Sequence, residues 1–204
     1  MEPVRVYDGV FTLSFLPSQI YRENPLQCFV ESLRFDSPGA SQDLLDFLPE
    51  GWDAYHLDIE DEVLMADPDK KHIYFGKLRR TSDLIDVLHE IGHAHHRAYA
   101  GKTNSVSRYT RFKSISQVVS TMENEYDAWS FALKTARRIK IPEGVITNHY
   151  TEIERCLKSY LDFLEGKLFG NKYKEISEAT GVPEALIRQV VLNRYDEWCA
   201  ENLV

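Results

Sequence analysis

The chain has 204 residues, 43% of them hydrophobic and 27% charged, with 24 Lys and Arg against 32 Asp and Glu for a net charge of -8. That length and balance are those of a globular protein able to bury a real core. The acidity disfavours a general binder of nucleic acid, whose affinity rests on clustered Lys and Arg. The three cysteines, Cys28, Cys156 and Cys199, are far apart and form no C-x-x-C pair, as expected of free thiols in a reducing compartment. The opening Met-Glu-Pro-Val-Arg is not a basic region followed by an apolar run, and no stretch approaches the roughly 18 apolar residues of a membrane span. A cytoplasmic protein is expected.

In chain order, residues 4–7, 10–16 and 26–35 are rich in β-branched and aromatic side chains, separated by Asp8-Gly9, Pro17-Ser18 and Glu23-Asn24-Pro25. This reads as strands divided by turns. After the turn Ser37-Pro38-Gly39, Ser41 is placed to cap a short helix over residues 42–47. Strands are expected over residues 54–59, 62–66 and 71–75, with Asp67-Pro68-Asp69 as a turn. A helix follows, with Ser82 as cap, Asp83 and Asp86 in its first turn, and an end near Gly101.

That helix carries His89-Glu90-Ile91-Gly92-His93, an H-E-x-x-H pattern. Histidines four apart stand one helical turn above each other, so both imidazoles can reach one zinc ion, and the intervening glutamate is placed to take a proton from the attacking water. On a helical wheel Leu84, Leu88, Ile91 and Ala98 fall on one side, with His89, His93 and His96 opposite. Gly92 costs roughly 1 kcal/mol relative to Ala inside a helix, which suggests close approach of a neighbouring backbone.

Catalytic zinc usually has three protein ligands and one open position, so a third ligand is needed. His96 is seven residues past His89, roughly 10 Å along a straight helix, too far to share the ion. It is read instead as a group beside the site or in contact with substrate. His95 falls on the apolar side and reads as a satisfied core histidine. Residues 102–117 form a locally basic stretch, including Arg108 and Arg111, read as a loop in which Arg108 or Arg111 is a candidate contact to a substrate carbonyl or an acidic partner. Residues 118–138 then have a helical apolar stripe of Val119, Met122, Tyr126, Trp129, Leu133 and Ala136. Glu123 and Glu125 on this helix are both candidate third ligands. Glu125 is favoured because it flanks the stripe near Ala128 and Ala132, whereas Glu123 lies towards Asp127 and the polar face.

The motif helix, preceded by a strand and followed some thirty residues later by Glu125-Tyr126-Asp127-Ala128 and Phe131-Ala132, resembles the ImmA/IrrE family of zinc metallopeptidases. In that family the second segment reads approximately Glu-x-x-Ala-x-x-Phe-Ala. The resemblance covers residues 71–133 and implies a zincin-like fold, Zn2+ as cofactor, His89, His93 and Glu125 as its ligands, and Glu90 as general base. It implies hydrolysis of a protein or peptide substrate. Zincins of this type resemble one another in binding substrate as an added strand, and residues 71–75 are the candidate edge. His96, Arg108, His149 or a tyrosine are the candidates for steadying the oxyanion. The family often continues with a Leu-Leu-Met-Pro-like ending, where this chain has Leu133-Lys134-Thr135-Ala136. A competing reading is a binding or regulatory module on the same scaffold, although an intact Glu90 has no use there.

The remainder reads as helices over residues 147–164, 172–179 and 183–201. Ile176 to Pro183, with Gly181 at a turn and Ile187 and Val190 beyond, has helix-turn-helix spacing. Residues 171–204 nevertheless carry four Lys and Arg against six Asp and Glu, so a packing hairpin is favoured over a nucleic-acid reader. The expected architecture is α+β: a metallopeptidase domain over residues 1–141, with a small sheet, the motif helix and the glutamate helix, and a helical extension over residues 142–204.

Overall fold

The computed structural model describes the backbone of residues 4–8, 11–21, 24–37, 40–57, 64–100, 114–166 and 171–204, and side chains within residues 29–36, 41–57, 64–96, 114–166 and 171–204. Arg108, the rest of residues 101–113 and the expected Gly101 cap lie outside the described residues. The fold is α+β. Strands β1 (Val4–Asp8), β2 (Phe11–Tyr21) and β3 (Asn24–Ser37) form an antiparallel ribbon, and β4 (Ala40–Asp43) folds back on the end of β3. β5 (Asp53–Leu57) pairs antiparallel with the start of β3 and parallel with β7 (His72–Phe75), and β6 (Leu64–Asp67) closes the order β1-β2-β3-β5-β7-β6.

Three local features depart from the sequence expectation. β2 continues through Pro17-Ser18, with register shifts on both sides of Pro17 that form an irregularity in the ladder. Such a bulge tolerates a residue with no N–H to donate. Residues 40–43 are strand, and the expected helix shrinks to one 3-10 turn, Leu44–Phe47. Its cap is Asp43 and not Ser41: the Asp43 carboxylate accepts from the N–H groups of Leu33 at 2.9 Å and Leu45 at 3.1 Å, while the Ser41 hydroxyl accepts from Arg34. Finally, β7 is not an edge. The Asp67 carboxylate accepts from the N–H groups of Asp69 and Lys70, and Lys71 has φ 57°, so the chain turns back sharply after β6. β6 therefore pairs along the outer side of β7 and is itself the edge at this end of the sheet among the described residues.

Five helices follow among the described residues: α1 (Asp83–Ala100), α2 (Ile115–Arg138), α3 (Glu143–Glu165), α4 (Lys172–Thr180) and α5 (Glu184–Asn202). Ahead of α1, the Asp83 carboxylate accepts from the N–H groups of Arg79 at 2.6 Å and Arg80 at 2.9 Å, fixing the turn that aims the helix. α2 begins three residues earlier than expected because the Ser114 hydroxyl accepts from the Gln117 N–H, the first half of an S-x-x-Q capping box. None of the described helices is long and apolar enough to cross a membrane.

The chain divides into two compact units, residues 1–102 with 128–146, and residues 103–127 with 147–204. Where one cut after residue 141 was expected, the units interleave, and both α2 and α3 run unbroken from one to the other. In the first unit α1 packs on β6 and β7. Leu33, Phe35, Leu44, Ile73, Phe75, Leu84, Ile85, Leu88 and Ile91 are sealed from solvent, each such burial contributing roughly 1.5–3 kcal/mol relative to exposure. Burial extends around α1 to Val87, His89 and Ala94, so this is not a helix with a solvated histidine face.

The second unit is helical. Trp198 stacks on Tyr126 and donates from Nε1 to the Tyr126 carbonyl at 3.1 Å. Gly181, at φ 74°, caps α4 and starts the reversal into α5, a left-handed conformation that glycine adopts without strain. Ile187, Val191 and Trp198 are the buried residues of α5, while Val190 is 44% exposed, so the inward face is offset by one residue from the expected Ile187-Val190 pair.

A test of the packing in the first unit concerns Gly92. A Cβ there would lie 2.7 Å from the Ala128 carbonyl oxygen and 2.8 Å from the Ala128 Cα. At an exposed helical site, Gly to Ala stabilises by up to about 1 kcal/mol. Gly92→Ala should instead destabilise by about 1–3 kcal/mol, because backbone atoms must move apart. Denaturant melts of the two proteins give the sign directly.

Candidate metal centre

His89 and His93 project from the same side of α1, one turn apart, with their Nε2 atoms 3.0 Å from each other. Zinc–nitrogen bonds of about 2.0–2.1 Å in tetrahedral geometry place two ligand nitrogens about 3.3 Å apart, so this pair is already close to the separation one ion requires. Glu125 of α2 completes the group: one ligand atom from each of His89, His93 and Glu125 lies within 4.8 Å of the others. The three side chains could hold a metal ion.

Burial shapes the chemistry of these donors. Glu125 is 7% exposed and His89 6%, and His93 is half-buried. A carboxylate withdrawn so far from water requires compensation by donors or positive charge. A divalent cation shared with two neutral imidazoles would supply it, and the donor set of two nitrogens and one oxygen is one that zinc takes. Glu90 follows His89 on α1 and is half-buried. With roughly 100° of rotation per residue, it stands beside the histidine pair without joining it.

The position of Glu125 follows from the helix that carries it. Ala128 and Trp129, three and four residues further on, share its face of α2. Ala128 is the residue against which Gly92 packs, and the Trp129 indole lies on the His89 imidazole, with ring centroids 3.8 Å apart and planes 25° from parallel. An unbroken helix thus leaves Glu125 less than one turn from backbone that touches α1. Glu123 points elsewhere: its carboxylate meets the Arg194 guanidinium at 3.2 Å.

The remaining candidates are dispersed. His96 is half-buried on α1 and His149 is buried on α3 at 5% exposure; neither belongs to the metal-competent group. His95 donates from Nε2 to the Phe47 carbonyl and packs on Phe131, which accounts for it as a structural histidine. In the sequence Trp129 stands out only as one member of an apolar stripe. The signal for more is its spacing, since a helix that presents Glu125 to the motif also presents the residue four positions later. Comparison with models of known protein families, with characterised proteins and with solved structures finds no match to this chain.

The choice between the two glutamates is open to measurement. Glu125→Ala should weaken zinc binding by more than about a hundredfold, above the loss caused by groups that merely orient a ligand. Glu123→Ala removes a solvent-exposed ion pair and should leave affinity within a few-fold, a difference that competition against a chelator resolves.

Proposed function

We propose that this chain is a zinc-dependent endopeptidase acting on a protein or peptide substrate, with His89, His93 and Glu125 as ligands and Glu90 as general base. The observation that carries the reading is the convergence of two imidazoles and a buried carboxylate within 4.8 Å, from α1 and α2, beside the glutamate of an H-E-x-x-H helix. A zinc ion bound there would polarise a peptide carbonyl and lower the pKa of the attacking water. Glu90 takes the proton from that water and delivers it to the leaving amine, so that one side chain serves both halves of the hydrolysis.

The same reading assigns substrate to the edge of the sheet. β6 replaces the expected residues 71–75 as the strand available for pairing, since β7 has β5 on one side and β6 on the other. A peptide laid along β6 in extended form would gain main-chain hydrogen bonds, and α1 packs beneath the same strand. The α4–α5 pair is read as a packing hairpin without a role in binding nucleic acid. Its cations are engaged: Lys172 with Glu175, Lys174 with Glu178, Arg188 with Glu165, and Arg194 with Glu123 and Glu197. Phosphate contacts would have to displace these partners.

The proposal predicts near-stoichiometric zinc by elemental analysis after dialysis, lost in His93→Ala. Glu90→Gln should keep the zinc, and its rate on an unstructured protein substrate should fall about 100- to 10,000-fold, the usual contribution of a positioned base. Full hydrolysis by metal-free protein, or by Glu90→Gln, would sink the reading.

A further inference from the structure

The geometry points to Trp129 as a positioning residue of the metal centre, one that sets the plane of the His89 imidazole by lying flat against it. The inference rests on the zinc reading above and adds to it a device that this chain uses in place of a simple helical wall. The outermost torsion of a histidine is broad and roughly two-fold, so a ligand imidazole needs something to hold its ring plane. A hydrogen bond to the non-ligating nitrogen commonly does this. Here the face of the Trp129 indole is placed to do it.

Three observations converge. The His89 and Trp129 ring centroids are 3.8 Å apart with an interplanar angle of 25°, a close stacked arrangement. His93 meets the His89 ring at 76°, with centroids 4.5 Å apart, so the imidazole is bounded by an indole face and by the other histidine. Trp129 itself is only 3% exposed, and its backbone neighbour Ala128 is in direct contact with α1 at Gly92. The indole is therefore carried on a rigid element pressed against the helix of its target. Rotating the His89 ring away from the stack would drive it into the indole or open a gap beside it. Either outcome moves Nε2 off the line that it shares with His93 Nε2. A flat aromatic ring at position 129 satisfies this requirement, whereas a branched aliphatic side chain of similar hydrophobicity does not.

The test uses the full chain and compares the parent, Trp129→Phe and Trp129→Leu. Zinc affinity is read by chelator competition, the Co2+ complex by its visible spectrum, and the stability of the metal-free protein by denaturant melts. Trp129→Leu should lose about tenfold or more in metal affinity, the usual effect of a group that orients a ligand, and its Co2+ bands should shift. Trp129→Phe, which keeps a flat ring, should recover most of the affinity even where both variants lower the stability of the metal-free protein alike. Intrinsic fluorescence supplies a readout that does not depend on Trp129→Leu folding. Co2+ should quench tryptophan emission strongly in the parent, and most of that quenching should vanish in Trp129→Phe. Parent-like affinity and Co2+ spectrum in Trp129→Leu, or undiminished quenching in Trp129→Phe, would overturn the inference while leaving the zinc reading intact. A parent protein that binds neither Zn2+ nor Co2+ would overturn both.

Discussion

The closeness of two backbones at Gly92 and Ala128 is the constraint on which the centre depends. Side chains between packed helices usually hold the axes some 8–10 Å apart. A glycine facing an alanine allows closer approach, and a Cβ on Gly92 would already be 2.7 Å from a carbonyl oxygen. His89 and His93 flank Gly92 on α1, and Glu125 and Trp129 flank Ala128 on α2. The small pair thus sits between the groups whose separation it governs. Its cost is the weak helix propensity of glycine in the middle of α1, borne in a helix that burial on nearly every side keeps in place.

α2 contributes several functions through one periodicity. Residues three and four apart share a helix face, so once Ala128 is set against Gly92, the positions of Glu125, Trp129 and Ala132 are no longer independent. Glu125, Trp129 and Ala132 are all buried, as a single inward stripe requires. Glu123, two residues from Glu125, is turned by roughly 200° and meets Arg194 of α5. Two acidic residues of the same helix therefore face quite different surroundings, one nearly dry and the other partly in water.

Much of this is legible in the amino-acid sequence. The α+β class, the five helices and the H-E-x-x-H pair follow from apolar periodicity and motif spacing, because helix formation is largely local. That Glu125 and not Glu123 lies with the motif histidines follows from the side of the helix on which alanines fall. What escapes a reading of the sequence is decided by tertiary pairing. Pro17 reads as a break, yet a bulge in the ladder with β3 keeps β2 continuous. Residues 41–43 read as the cap and start of a helix, yet pairing with β3 makes residues 40–43 a strand. Residues 71–75 read as an edge, and nothing local reveals that β6 folds back along their outer side. Trp129 reads as core, correctly as to burial. That its particular neighbour is a histidine of the motif depends on how two helices meet.

The edge at β6 carries a consequence for what can adhere to the protein. An open strand edge is a template for aggregation, since any extended chain, including another copy, can add to it. Among the described residues β6 spans four, and alternate residues turn their main-chain groups outward, so roughly two of these pair with a newcomer. With an N–H and a C=O from each, at a net 0.5–1.5 kcal/mol per hydrogen bond, those bonds yield about 2–6 kcal/mol, against an estimated 4–15 kcal/mol or more for immobilising a partner. Main-chain pairing alone scarcely holds a stray strand there. A chain that stays must bring side chains that fit the neighbouring surface, so pairing along these four residues acts as a filter against indiscriminate self-assembly.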